Sequence, residues 1–267
     1  MNSRRRDFLA GCAASAVAAS LGADGAAAAD KVPVLGLIFP PHGRGVPEEG
    51  VAMYGDRLKF VVTGLGLNQM TPEGYDSVIP KIPAAARALV EAGAEAIELT
   101  GTSLTFYKGE EFNQRLRQAV IDASGLPATT MSNGVIEGLK AVGAQKVAVA
   151  TAYNDVVNAR LEAFLLEHGL TPVVVTGLGI EAIRDVDAVT QNDLIEFGAR
   201  VRATAPEADS LLVSCGGFRT LEIIEPLESQ TGVPVISSMP HGLWAGARLV
   251  GMDGASPGYG TLLSASA

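Results

Sequence analysis

Beyond residue 30, short apolar runs alternate with longer stretches of helical period. Val34–Phe39, Ala96–Thr100, Val147–Ala150, Pro172–Val175 and Leu211–Ser214 are β-branched or leucine-rich. Each is bounded by Gly, Pro or polar residues, the pattern of strands buried on both faces of a parallel sheet. Between them the apolar positions change period. Val157, Leu161, Phe164 and Leu165 recur at helical spacing, with Gly169 placed to end that helix. Thr71–Pro72–Glu73 reads as a helix start, with Thr as cap and Pro in the first turn. The alternation predicts an α/β fold with parallel sheets.

A faint internal repeat sharpens that expectation. AIELTGTSLTF (96–106) leads through a helical stretch to GLPATTMS (125–132), and SLLVSCGGF (210–218) leads through another to GVPVISSM (232–239). Each unit reads strand, small polar turn, helix, Gly-x-Pro, strand, Ser/Thr-rich turn. Two similar α/β lobes facing each other across a cleft are expected. The first covers residues 31–132, completed by the C-terminal segment 237–267, and the second covers residues 133–236. Ligands of open α/β sheets bind beyond the carboxyl ends of the strands. Thr100–Gly101–Thr102 then faces Ser214–Cys215–Gly216 at one site.

Residues 1–30 stand apart. Arg4, Arg5 and Arg6 precede Phe8–Leu9 and an alanine-rich stretch ending at Ala26–Ala29. This is the layout of a twin-arginine-type export signal, and it predicts a periplasmic protein. The apolar stretch is short for a membrane span, so no stable span is expected in the mature chain. Leu9–Ala10–Gly11–Cys12 has some likeness to a lipidation site, although the apolar region follows Cys12 instead of preceding it. Cleavage near Ala29 leaves Cys215 without a partner for an internal disulfide. The net charge of −9 argues against nucleic acid as a partner.

Cys215 follows an apolar strand and precedes Gly216 and Gly217. A cysteine at a strand end, beside glycines that expose backbone N–H groups, can serve as acid, base or nucleophile. The plainer alternative is a buried small hydrophobe. Gly101–Thr102–Ser103 offers two hydroxyls and consecutive N–H groups at a helix entrance, suited to an oxyanion or to ordinary capping. Tyr153 follows a strand and can donate a phenolic proton or simply pack. His42 and His241 follow prolines at strand ends, where either can approach the cleft, while His168 sits at a helix end. The sequence has no Cys/His metal pattern and no phosphate-binding loop, and Gly64–Leu65–Gly66–Leu67 lacks the dinucleotide fingerprint. Chemistry without metal or cofactor fits best.

These residues also carry a resemblance. Gly64-Leu-Gly-Leu67, Thr71-Pro-Glu-Gly-Tyr75, Gly101-Thr-Ser-Leu104 with Phe106–Tyr107, Thr129-Thr-Met-Ser132, Ala150-Thr-Ala-Tyr153, Ser214-Cys-Gly-Gly217 and Pro257-Gly-Tyr-Gly260 occur in order. Together they resemble the aspartate/glutamate racemase superfamily, and within it the arylmalonate decarboxylases. The resemblance covers nearly all of the chain after residue 33.

It implies two αβα lobes with four-stranded parallel sheets and a small dicarboxylate substrate. It implies cofactor-free decarboxylation of disubstituted malonates to one enantiomer of an α-substituted acid. Carried over by motif, Thr102, Ser103, Tyr153 and the N–H groups of Cys215 and Gly216 hold an enediolate, and Cys215 protonates it. Pro40, Leu67, Met70, Tyr75, Leu104, Ile183 and Val186 form the pocket of the leaving carboxylate. Gly101 stands where racemases and isomerases of the superfamily carry a second cysteine. His42, Arg44 and His241 occupy positions that are small or apolar in the decarboxylases and bear on the choice of substrate. A racemase or cis-trans isomerase using Cys215 with another acid (His42, His241 or Tyr153) is an alternative. So is a periplasmic carboxylate-binding protein.

Overall fold

The computed structural model describes residues 31–265. The expected export signal and Cys12 lie outside the described residues. Eight strands form, β1 (Val34–Phe39), β2 (Lys59–Gly64), β3 (Ala96–Leu99), β4 (Ala128–Thr130), β5 (Lys146–Thr151), β6 (Thr171–Gly177), β7 (Ser210–Ser214) and β8 (Val235–Ser237). The helices among and after them are α1 (Glu48–Tyr54), α2 (Pro72–Val78), α3 (Ile82–Glu91), α4 (Thr102–Phe106), α5 (Glu110–Ser124) and α6 (Met131–Ala141). Then come α7 (Asp155–Glu167), α8 (Ile183–Val186), α9 (Gln191–Ala203), α10 (Ile224–Thr231), α11 (Ser238–Leu249) and α12 (Thr261–Ser264). No helix among the described residues is long and apolar enough to cross a membrane.

The strands make two four-stranded sheets, ordered β2-β1-β3-β4 and β6-β5-β7-β8, and every pairing is parallel. The two orders are the same once the second sheet is renumbered. The repeat read from the sequence is therefore a topological one, with β3 matching β7 and β4 matching β8. β2 is the strand that the apolar pattern does not single out. It is an edge strand, exposed at Lys59 and only partly buried from Phe60 to Gly64, and its apolar run is only Phe60–Val62.

Local chemistry sets the helix ends. The Thr71 hydroxyl accepts the Gly74 N–H (3.3 Å) ahead of Pro72, and the Asn154 side chain accepts the Val157 N–H (3.0 Å). Caps of this kind are each worth roughly 0.5–2 kcal/mol. His168 caps the end of α7, pairs with Glu110 at 3.0 Å and stacks edge-on against Phe164, so it is more enclosed than a solvated cap.

The helix α11 packs on β3, β4, α1 and α6. One contact there is unusual. Glu98 of β3 is fully buried against α11, and neither carboxylate oxygen has a hydrogen-bond partner. Gly242 and Gly246 leave it room. A Cβ at Gly242 would lie 2.3 Å from Glu98 Oε1, and one at Gly246 would lie 3.3 Å from Oε2. Desolvation alone pushes the Glu98 carboxyl up from 4.5 to about 8. A buried carboxylic acid without a partner stays protonated at neutral pH, because ionising it in an apolar site costs more than holding the proton.

This has a signed consequence. Between 4.5 and about 8 the native Glu98 binds a proton that the unfolded chain releases, so stability falls as pH rises through that window. Glu49, pushed up to about 7, acts in the same direction. The thermal midpoint of the wild type should drop between about pH 5 and about pH 8, and Glu98→Gln should make the drop shallower by several degrees. Melting curves followed by circular dichroism across that range check it. Parallel pH slopes for the two proteins would show that Glu98 ionises freely in the fold.

Candidate active site

The cleft lies at the carboxyl ends of the strands. Phe39, Pro40, Pro41 and Arg44 follow from β1, Leu67 and Met70 lie beyond β2, and Thr100, Gly101, Thr102 and Ser103 join β3 to α4. Ile183 and Val186 come from α8, and Cys215, Gly216 and Gly217 follow β7. Backbone bonds fix the aliphatic residues. Met70 N–H donates to Glu181 O (2.8 Å) and Ile183 N–H to Asn68 O (3.2 Å), tying the loop after β2 to the entry of α8. The lining mixes prolines and aliphatic side chains with hydroxyls, backbone N–H groups and a thiol, and each lobe supplies some of both.

Gly101 and Gly216 bring the two lobes together. Gly101 has φ +90°, a conformation that L side chains rarely adopt, and a Cβ there would lie 2.3 Å from Pro40 Cγ. A Cβ on Gly216 would sit 3.7 Å from Gly101 Cα and only 2.8 Å from Met131 Sδ. A Cβ on Gly217 would come within 3.0 Å of Val186 Cγ1. The glycines after Cys215 are therefore required by close approach from both sides of the cleft.

Cys215 is a free thiol, buried within the cleft wall. Burial pushes its pKa up to about 11, against a smaller lowering by the N–H groups of Gly217 and Phe218 and by Arg44. The thiol keeps its proton at neutral pH. Arg44 is the one charged side chain among the described residues lining the cleft. Its Nη2 donates to Asp187 Oδ1 at 2.8 Å, an exposed pair across the mouth.

The hydroxyls are held from behind. Thr102 Oγ1 donates to Ser238 Oγ (2.7 Å), and Ser132 Oγ donates to the Thr102 carbonyl (3.0 Å). Thr102 and Ser103 open α4, as the sequence predicts. Of the expected site residues, Pro40, Leu67, Met70, Gly101, Thr102, Ser103, Ile183, Val186, Cys215 and Gly216 meet in the one cleft. Tyr75, Leu104 and Tyr153 lie behind its walls, each with 1% or less of its surface exposed. Tyr153 Oη is 3.3 Å from Ser214 Oγ, and its ring meets Phe106 of the facing lobe edge-on at 5.7 Å. Its backbone N–H donates to Thr151 Oγ1 (3.1 Å), and its carbonyl accepts from Asn158 Nδ2 (3.3 Å). Burial raises both phenols well above the ordinary tyrosine range, with Cys215 adding to the shift in each case. The Tyr75 hydroxyl has no partner in hydrogen-bond geometry.

The histidines divide. His42 lines the outer mouth with Arg44, Gly66 and Asp187. His241 does not approach the cleft. It is buried in α11 with Nδ1 3.0 Å from the Ser237 N–H, and desolvation pushes it down to about 4, which keeps the ring neutral. The Pro-His pattern is the same at both places, but Pro240–His241 lies inside a buried helix and Pro41–His42 in a loop. Sequence reasoning missed Asp187 at the rim. An exposed acid carries no signal until Arg44 is placed opposite it.

The comparisons with known proteins bear on the family and the fold. The family model described as arylmalonate decarboxylase matches residues 35–263. The arylmalonate decarboxylase of Bordetella bronchiseptica is 46% identical over 235 residues, 88% of this chain and 98% of its own length. A solved double mutant of arylmalonate decarboxylase in its liganded form superposes with a TM-score of 0.83 at 45% identity, covering 86% of this chain and 98% of that one. A maleate cis-trans isomerase from Nocardia farcinica, solved with a covalently bound succinylcysteine intermediate, shares the fold at 22% identity. Its TM-score is 0.79, over 87% of this chain and 98% of that one. The matched span and the identity over nearly the whole of a curated relative show that this chain belongs to the arylmalonate decarboxylase family.

Proposed function

We propose that the protein decarboxylates disubstituted arylmalonates to α-substituted acids of one handedness, using Cys215 as its proton donor and no cofactor. The observation that carries this reading is the make-up of the cleft, in which aliphatic residues, neutral donors and a protonated thiol meet with Arg44 as the one charged side chain among the described residues lining it. One carboxylate of the substrate lies against Pro40, Leu67, Met70, Ile183 and Val186. Cleavage of its bond to the α-carbon releases carbon dioxide and leaves the bonding electron pair on the α-carbon, delocalised into the second carboxylate as an enediolate. Ser103 and the N–H groups of Cys215 and Gly216 receive that charge, Thr102 joins them when its hydroxyl turns from Ser238, and Tyr153 supports them from behind the wall. Preorganised donors of this kind are each worth about 2.7–4 kcal/mol in other oxyanion sites. Cys215 then gives its proton to the α-carbon from one face and recovers it from solvent. Leu104 and Tyr75 support the aliphatic pocket from behind.

A strongly depressed thiol would ionise before it could act as an acid. A thiol held near 11 stays loaded across the neutral range. Alkylation of Cys215, followed by peptide mass spectrometry, should be slow at neutral pH and accelerate toward about 11 without an earlier plateau. A plateau below about pH 8 would mean a thiolate-forming site and an acid located elsewhere.

Carbon dioxide release from phenylmalonate-type substrates tests the activity itself. Cys215→Ala should lose on the order of a hundredfold or more in turnover, in line with the ~10²–10⁴ that a positioned acid contributes. Thr102→Ala, Ser103→Ala and Tyr153→Phe should each lose ~10- to 1,000-fold. Binding without any release of carbon dioxide would turn the assignment toward a carboxylate-binding protein. Gly101→Cys places a second thiol across from Gly216. It should erode the enantiomeric purity of an α-aryl propionate, and Gly101→Cys with Cys215→Ser should invert the product. Pro40 must shift to admit the new side chain, so a lower rate is expected in both variants. Chiral chromatography decides, and wild-type handedness from an active double variant would refute the facing-wall assignment.

A further inference from the structure

Glu49 is the second buried acid of the fold, and unlike Glu98 it has partners. It sits in the first turn of α1, in the lobe of β1, with 7% of its surface exposed. Its Oε1 accepts the N–H groups of Thr220 (2.7 Å) and Leu221 (2.8 Å), with the Thr220 hydroxyl 3.4 Å away. These partners lie 171 and 172 residues further along the chain, at the end of the segment that begins with Cys215. That segment turns back on itself through Phe218 N–H to Cys215 O (3.2 Å) and then enters the 3₁₀ turn Leu221–Ile223 and α10. Thr220 stands at the cap position of this turn, yet its own side chain makes no capping bond. A residue from the other lobe does the capping instead.

An ordinary cap needs no such arrangement, because a local Ser, Thr or Asp satisfies the first N–H groups of a helix without burying a charge. A buried carboxylate carries a desolvation penalty that only its hydrogen bonds offset. What this arrangement adds is a tie between the lobes just behind the Cys215 turn. The groove beside Glu49 is lined by Gly216, Gly217, Phe218 and Arg44, three of which also border the cleft.

On the reading of the site given above, we propose that Glu49 is a positioning residue. It anchors the far end of the Cys215–Thr220 turn to α1, and so fixes where the thiol and the Cys215 and Gly216 N–H groups stand relative to the Gly101 wall. Charge-assisted bonds to N–H groups are roughly twice as strong as neutral ones, so the anchor is firmest when Glu49 is ionised. Burial, opposed by the Thr220 and Leu221 N–H groups and reinforced by Glu222, sets that ionisation at about 7. The other charged groups nearby are engaged elsewhere. Arg219 pairs with Glu48 at the surface (2.7 Å), and on α11, which packs against α1, His241 is neutral and Arg248 pairs with Glu137 (3.6 Å).

The test uses the full chain and two variants, Glu49→Ala and Glu49→Gln, with folding checked by circular dichroism. In Glu49→Ala, kcat for phenylmalonate-type substrates should fall by ~10- to 100-fold with KM changed only a few-fold, because the displaced donors act on the developing enediolate. Enantiomeric excess should fall as well, which a loss of stability alone does not cause. Glu49→Gln keeps an acceptor for both N–H groups and should recover much of the rate. The wild type should lose activity as pH falls through about 7, and Glu49→Gln should lack that limb. Cys215 alkylation supplies a readout independent of the reaction. It should be several-fold faster in Glu49→Ala than in wild type at the same pH above about 7, with that ratio shrinking as pH falls below 7 and no plateau in either protein. If wild type releases no carbon dioxide, the proposed function fails and the alkylation profiles still decide the anchor. The proposal is overturned if folded Glu49→Ala keeps wild-type kcat, product purity and alkylation rate. Should Glu49→Ala not fold, an acid limb of activity near 7 persisting in Glu49→Gln overturns it.

Discussion

In the proposed reaction, a thiol acts as a proton donor at neutral pH only while nothing nearby makes its anion comfortable, whereas the enediolate it would protonate needs stabilisation at almost the same point in space. On that reading the cleft meets both demands with neutral donors and burial of the thiol. Two backbone N–H groups near the sulfur and Arg44 at the mouth pull the Cys215 pKa down, and burial outweighs them. A cationic partner in the interior would have served the enediolate and disarmed the acid. The sole cation bordering the cleft among the described residues is half-exposed and already engaged by Asp187.

The rest of the fold follows from the need to set such a thiol against a second wall. Identical sheet orders place the ends of β3 and β7 at equivalent points of the two lobes, and glycines at both ends leave space that a Cβ would take from Pro40 and Met131. Further ties hold the walls at that distance. The strap between residues 68–70 and 181–183 does so beside the aliphatic residues, and the Phe106–Tyr153 contact does so behind the donors. The Glu49 anchor lies behind the cysteine. A wall held at several points is stiff, and preorganised donors lose less of their effect to rearrangement than donors recruited during the reaction.

Two buried acids illustrate how differently the same side chain can be used. Glu98 has space and no partners, so it persists as a neutral acid in the core. Glu49 has three donors and remains near its midpoint at neutral pH. Both bind protons on folding, and both tilt stability toward the acid side. The difference lies in what each touches: α11 glycines in one case, and the turn that carries the cysteine in the other.

Much of this was legible in the chain itself. Continuous apolar runs marked β1, β3, β5 and β7, because strands covered on both faces need apolar side chains at every position, and Pro172–Val175 marked the edge strand β6 although it is only partly buried. Gly-x-Pro followed by small polar residues marked the short β4 and β8, and the Cys-Gly-Gly and Gly-Thr-Ser turns at strand ends marked the site. Edge strand β2 escaped, since its apolar run is only Phe60–Val62, between Lys59 and Thr63. His42 and His241 were indistinguishable in sequence, because the surroundings that bury one and leave the other at the mouth come from distant segments. The same holds for Glu49 and Asp187, ordinary acids in the sequence whose partners lie 171 and 143 residues away. Local pattern determined the elements and the chemistry available at their ends. Only the tertiary structure decided which acids are ionised and which glycines touch, because desolvation and close approach depend on residues that the chain brings together from far apart.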